Sequence, residues 1–126
     1  MSPGPATHIA VVPLSCVDDR AERALDYAAR LAPRVLALHV RDRRRRDGVE
    51  AAWATLAPGV PLVVLDAAAR DRQGALRRAL DILRRSEQVD LITVVIPPRE
   101  VPGHGLVPAW AGALRGPGIA VTLTPD

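Results

Sequence analysis

Apolar residues are distributed along the chain in two alternating patterns. Five short segments are apolar almost throughout, which is typical of strands buried on both faces of a parallel sheet. Between them, apolar residues recur at helical spacing on segments whose other positions are largely charged. The predicted strands are His8–Leu14, Val35–Val40, Leu62–Leu65, Leu91–Ile96 and Ile119–Thr124, and the predicted helices cover 20–32, 49–56, 72–85 and 109–114.

This alternation predicts an α/β fold, in which right-handed βαβ units build a three-layer, doubly wound sheet of five parallel strands. A chain of 126 residues suits one domain. We expect that domain to cover residues 8–126, after a flexible leader of residues 1–7 that is rich in Pro and Gly. The first helix has two N-cap candidates, Asp18 and Asp19, and Asp19 with Glu22 has the spacing of a capping box.

Composition excludes several classes of protein. The single cysteine, Cys16, rules out a disulfide framework and a Cys-rich zinc site. No apolar run approaches the roughly 18–20 residues that a membrane-spanning helix needs, and residues 1–7 lack the features of a signal peptide, so we expect a cytoplasmic protein.

Charge gives no indication of a nucleic-acid partner. All seventeen cationic residues are Arg, and fourteen acidic residues leave a net charge of +3. The run Arg43–Arg46 lies between Asp42 and Asp47 and has no aromatic stacking partners. A solvated loop is therefore the preferred interpretation of this run, over a site for RNA, polyphosphate or acidic lipid.

The fold class restricts where a ligand would bind. In a doubly wound sheet, ligands lie beyond the carboxyl ends of the strands, at the topological switch point. Ser15 and Cys16 follow the first strand beside a helix N-terminus, where backbone amides suit an anion or a ribose hydroxyl. No His–Asp pair is placed near Cys16, so a small buried thiol is preferred over a nucleophile. The segments to search are Ser15–Asp19, His39–Asp42, Asp66–Arg70 and Pro97–Gly105.

Three further residues on these segments have two interpretations each. His39, near the end of the second strand, faces either the pocket or the core, and a hydrogen-bonded structural role is preferred. Arg70 either binds a phosphate or adenine, or is a solvated residue before the helix cap Asp71. His104 lies on a Gly- and Pro-rich loop that is interpreted as a surface excursion rather than a lid. Three scattered histidines do not predict a metal site.

The segments "IAVVPLS" and "ERALDYAARLAPRVLALHV" resemble the opening of universal stress protein domains. The resemblance extends from about His8 to Leu123 and implies the strand order 3-2-1-4-5, a dimer through the last strand and an adenine-nucleotide pocket. Two motifs of ATP-binding members are absent. Ser15 stands where they carry an Asp, and "VVIPPREVPGHGLVPAW" replaces their Gly-rich phosphate loop. Because Pro97 and Pro98 supply no N–H groups, ATP binding through this loop is not expected.

A narrower resemblance fits better. "PGVPLVVLDAAAR" and "DLITVVIPPREVP" are similar to segments in the cytoplasmic C-terminal domains of bacterial amino-acid and potassium permeases. Arg70 matches an Arg of that family, whereas the family's "SPY" is replaced by Ala67, Ala68 and Ala69. Some members are regulatory modules that bind cyclic di-AMP, so the resemblance implies the same ligand here.

The sequence therefore predicts a non-catalytic regulatory domain that senses an adenine nucleotide such as cyclic di-AMP, and no certain cofactor. The alternative is a ligand-free dimerisation or docking module of the same fold. A homodimer through the apolar edge Ile119–Thr124 and a membrane-transporter partner are expected. The candidate nucleotide-binding residues are Leu14, Ser15, Cys16, His39, Val40, Arg70, Pro97 and Arg99.

Overall fold

The described strands form one parallel sheet. In a computed structural model of the chain, residues 8–41, 48–56, 59–87, 89–97, 112 and 114–125 are described. The strands pair in the order β3-β2-β1-β4-β5, which confirms the predicted α/β class and strand order. The elements along the chain are β1 (His8–Leu14), α1 (Asp19–Leu31), β2 (Arg34–Arg41), α2 (Val49–Leu56), β3 (Leu62–Asp66), a 3₁₀ turn (Ala69–Asp71), α3 (Arg72–Glu87), β4 (Leu91–Ile96) and β5 (Ile119–Leu123).

Two apolar clusters cover the two faces of the sheet, because successive side chains of a strand point to opposite faces. We call the faces the α1 face and the α3 face after the helices that pack on them. Trp53 of α2 belongs to the α1-face cluster and donates its Nε1–H to the carbonyl of Val60 at 3.1 Å, so it anchors α2 to this face. The α1-face cluster includes Ala10, Val12, Leu14, Leu25, Ala37 and Val95, and the α3-face cluster includes Ile9, Val11, Leu38, Leu76, Leu80, Ile92, Val94 and Ile96.

Helix α1 begins at the first of the two predicted caps. Asp18 is in extended conformation and its Oδ1 accepts the N–H of Ala21 at 3.0 Å, which defines it as the N-cap. Asp19 is the first helical residue, so the predicted capping box of Asp19 and Glu22 is wrong. Two adjacent Asp residues have equal propensity for this position, and the burial of Ala21 and Leu25 against the sheet selects between them.

Helix α3 begins at Arg72, as predicted, immediately after the 3₁₀ turn that contains Asp71. The inward stripe contains the buried residues Leu76 and Leu80, and the half-buried Ala79 and Leu83 pack against the same cluster. Ile82 points the other way and is 62% exposed. Of the predicted helix over 109–114, only residues 112 and 114 are described, and the run Arg43–Arg46 lies outside the described residues.

The pairing of β1 differs along its length. Its register with β2 runs from Ile9 to Leu14, whereas its register with β4 runs only from His8 to Val11. Pro13 lies beyond the last pair with β4 and has no N–H to donate there. The two central strands therefore separate at their carboxyl ends.

We expect Asp18→Ala to lower the free energy of unfolding by about 1 kcal/mol, because the N–H of Ala21 loses its acceptor. Asp18→Asn keeps an acceptor and should remain close to wild type. Urea denaturation measures both values. A larger loss for Asp19→Ala than for Asp18→Ala would contradict the assignment of Asp18 as the cap.

Candidate functional site

The switch point of the sheet lies between β1 and β4, since the chain winds from β1 to β3 on one side and through β4 to β5 on the other. Beyond Val11 and Val94 these two strands are no longer paired. The space between their carboxyl ends is the crevice in which this class of fold holds ligands. On the α3 face, the hollow around Pro13 and Leu114 has no room for a water molecule, so the crevice is closed by packed side chains on that face.

His39 fixes one wall of the crevice. It is 3% exposed, and its Nδ1 lies 2.8 Å from the carbonyl oxygen of Leu14. Because a carbonyl oxygen only accepts, Nδ1 carries the proton in this bond. The bond ties the end of β1 to β2 and away from β4, which confirms the preferred structural interpretation of His39.

Thr124 fixes the other wall. Its backbone N–H and its Oγ1 donate to the carbonyl oxygen of Ile96 at 3.0 and 2.8 Å. The end of β4 is thereby tied to β5, on the side away from β1. Pro97 follows Ile96 as a buried residue. The sequence placed Thr124 only at the end of a strand, because its partner is 28 positions away and follows from strand register.

The turn after β1 contains the candidates Ser15 and Cys16. Ser15 is exposed and Cys16 is half-buried. The Sγ of Cys16 lies 3.5 Å from Oδ2 of Asp18, while Oδ1 of the same carboxylate caps α1. A carboxylate therefore occupies the helix N-terminus that the sequence predicted for an anion. A ligand phosphate would be repelled from this position, so the turn suits a hydroxyl or a base better.

Leu14 and Val40 do not present side chains to the crevice. The side chain of Leu14 is buried in the α1-face cluster, so only its backbone reaches the carboxyl edge. Val40 packs against the α3-face cluster, on the opposite face from His39. Adjacent positions of a strand alternate between faces, which is why these neighbours do not act together.

The described cationic candidate follows β3. Arg70 is exposed on the 3₁₀ turn after β3, a strand that is separated from β1 by β2. Arg99 and His104 lie outside the described residues. Among the described candidates, Arg70 alone provides a positive charge.

Arg41, which the sequence analysis did not single out, is on β2, one strand nearer to the crevice than β3. Its Nε donates to Oδ1 of Asp66 at 2.9 Å, and its Nη1 donates to Glu50. One guanidinium thus joins the ends of β2 and β3 to the first turn of α2. The pairing of Arg41 with Asp66 follows from the β2–β3 register, a signal that was not available before the strand pairs were known.

Two negative findings concern the described residues. No group of three or more His, Cys, Asp or Glu there could hold a metal ion. None of the helices in this part of the chain is long and apolar enough to cross a membrane.

The fold defines a small, doubly wound α/β domain whose two central strands are unpaired at the switch point. The chain belongs to the family of KimA potassium transporter C-terminal domains, whose family model matches residues 6–107. No curated protein matches the chain. The predicted relation to the C-terminal domains of transporters is thus confirmed. The relation to universal stress proteins, nucleotide binding and the homodimer stay predictions.

We expect His39→Leu to accelerate backbone hydrogen exchange around Leu14–Cys16 and to lower the free energy of unfolding by about 0.5–1.5 kcal/mol, because a buried hydrogen bond is lost. Thr124→Val is the matched control, because it removes a hydroxyl bond from the other wall. Its faster exchange should be confined to the ends of β4 and β5. Unchanged exchange around Leu14–Cys16 in His39→Leu would contradict the role of His39.

Proposed function

We propose that this chain is a non-catalytic, cytoplasmic regulatory domain of a potassium transporter, and that it binds an adenine nucleotide, with cyclic di-AMP as the ligand. The observation that carries the proposal is the separation of β1 and β4 at the switch point, in a member of a transporter-domain family. A ligand there would contact two strands that belong to the two halves of the sheet. Its binding energy would therefore act on the relative position of those halves.

Groups around the crevice suit the parts of a nucleotide. The exposed Ser15 has a hydroxyl that can both donate and accept, as a ribose or a base edge requires. Phosphates belong on the β3 side, where Arg70 presents an exposed guanidinium. They are disfavoured beside α1, since the Asp18 carboxylate is already there.

We expect Arg70→Ala to weaken binding of cyclic di-AMP about tenfold or more, because a charge-assisted bond to phosphate is lost. Isothermal titration calorimetry with cyclic di-AMP and with ATP measures the affinities. Arg23→Ala removes an exposed Arg from the second turn of α1 and should bind as wild type does.

Two results would contradict the nucleotide proposal. One is that neither nucleotide has a dissociation constant below about 1 mM, which corresponds to a binding free energy of only about 4 kcal/mol. The other is an equal loss of affinity in Arg70→Ala and Arg23→Ala, since that would report net charge rather than a contact at Arg70.

The outer edge of β5 favours a second function, a dimerisation or docking module. Residues of a strand direct their backbone groups alternately to its two edges. Thr124 and Gly118 bond towards β4, so Val121 and Leu123 direct theirs outwards. Ile119 also points outwards, but its N–H and C=O pair with Gly116. The remaining outward groups of this apolar, uncharged edge suit a second copy of the chain.

We expect the wild-type chain to have twice its monomer mass of 13.5 kDa, and Val121→Lys to have the monomer mass, because a Lys on an edge strand opposes strand pairing. Light scattering after size-exclusion chromatography measures the mass. Val63→Lys, the same change on the opposite edge strand β3, should leave the dimer intact. A monomeric wild type, or a dimeric Val121→Lys, would sink the proposed edge.

A further inference from the structure

The end of the sheet opposite to the crevice carries a group of positive charges. We call it the strand-start end, because the strands begin and helices α1 and α3 finish there. The acidic residues near it are Asp81, Glu87 and Asp90, so its five cations exceed three anions. The cations are Arg30 in the last turn of α1, Arg34 at the start of β2, Arg84 and Arg85 in the last turn of α3, and Arg115 before β5.

Arg84 is held in place at this end by its packing. A Cβ added to Gly118 would lie 3.2 Å from the guanidinium carbon of Arg84 and 3.2 Å from the carbonyl oxygen of Asp90. Gly118 has a φ of +76°, a conformation that also favours glycine. The guanidinium thus lies over the turn into β5, in the same plane as the first residues of the strands. Arg84, Arg85, Asp81 and Val89 surround an open hollow of about 290 Å³.

Apolar side chains are exposed towards the same end of the domain. Leu31, Val63 and Leu91 are 36–37% exposed, and they make up three of the four large hydrophobic residues that are exposed in the described part of the chain. Beside them is a hollow of about 390 Å³ with Arg34 in its lining. Its apolar lining includes Ile9, Leu36, Pro61, Val63 and Leu83.

Helix stability accounts for only part of this arrangement. Arg30, Arg84 and Arg85 lie in last turns of helices, where a cation interacts favourably with the helix dipole. Arg34 and Arg115 are outside the helices, so the helix dipole does not account for their positions. From β2 to β5 is three strand spacings, or about 14 Å. The charges therefore cover a broad end of the domain and do not line a single groove.

We propose that the strand-start end binds the anionic headgroups of a lipid bilayer. A layer of phosphates matches separated Arg residues across a surface, and the exposed Leu31 and Leu91 can enter the interfacial region between them. An extended acidic peptide would instead require a line of contacts. This inference rests on the proposed function in one respect: in a transporter with this C-terminal domain, the preceding part of the chain enters at the start of β1, which is this end.

Binding to vesicles tests the proposal. The wild-type chain should co-sediment with vesicles of equal parts phosphatidylcholine and phosphatidylglycerol, and should not do so with phosphatidylcholine alone. The triple variant Arg30→Gln, Arg85→Gln, Arg115→Gln should bind the anionic vesicles about a hundredfold more weakly, at about fivefold for each Arg. Arg34 and Arg84 are retained because of their contacts within the domain. Salt at about 1 M, where the Debye length is about 3 Å, should release the wild type.

The matched control is Arg20→Gln, Arg23→Gln, Arg78→Gln, which removes three exposed Arg away from the strand-start end. It should retain most of the binding, and circular dichroism should show both triple variants folded. Equal losses in the two variants, or no binding of the wild type to anionic vesicles, would overturn the proposal. The proposal would also be overturned if the chain bound vesicles of neutral lipid, and did so only when they contained the membrane-spanning part of the transporter. Arg70→Ala should bind vesicles as wild type does, so a failed nucleotide experiment leaves this result interpretable.

Discussion

The separation of β1 from β4 is the constraint on which the site depends. These two strands are the centre of the sheet, yet their register covers only His8–Val11 and Leu91–Val94. Pro13 cannot donate to a ladder beyond that point. His39 draws the end of β1 to β2, and Thr124 draws the end of β4 to β5. Each bond satisfies a buried polar group that would otherwise be costly, so the two unpaired strand ends are held by the interactions that stabilise the neighbouring strands.

The sequence predicted the fold well because the centre of every strand is a short, almost uniformly apolar segment. Such segments fit only a sheet that is covered on both faces, and the helices between them require parallel strands. The start of α1 was less determined, since Asp18 and Asp19 are equivalent as caps until the packing of Ala21 is known. The contacts of the site were not predictable in this way. Arg41 meets Asp66, and Thr124 meets Ile96, only through the register between strands that are far apart in sequence.

The roles of the Arg residues become clear once their positions in the structure are known. As a total, seventeen Arg against fourteen acidic residues indicates no partner. In the structure, Arg41 is bound by two carboxylates and serves to join β2, β3 and α2. Arg70 is exposed beside the crevice, and a group of five lies at the opposite end. A guanidinium suits each role because it stays charged when half-buried and makes several directed bonds.

Helix α1 links the two ends of the domain. Its cap, Asp18, contacts Cys16 in the turn that borders the crevice, and its last turn carries Arg30 at the strand-start end. Its thirteen residues span about 20 Å. The amino-terminal halves of β1 and β4 are paired, so a ligand that moved the turn after β1 would act on α1 through its cap and not through that part of the sheet. If nucleotide and membrane bind as proposed, a shift of α1 along its axis would change how Arg30 and Leu31 meet the membrane.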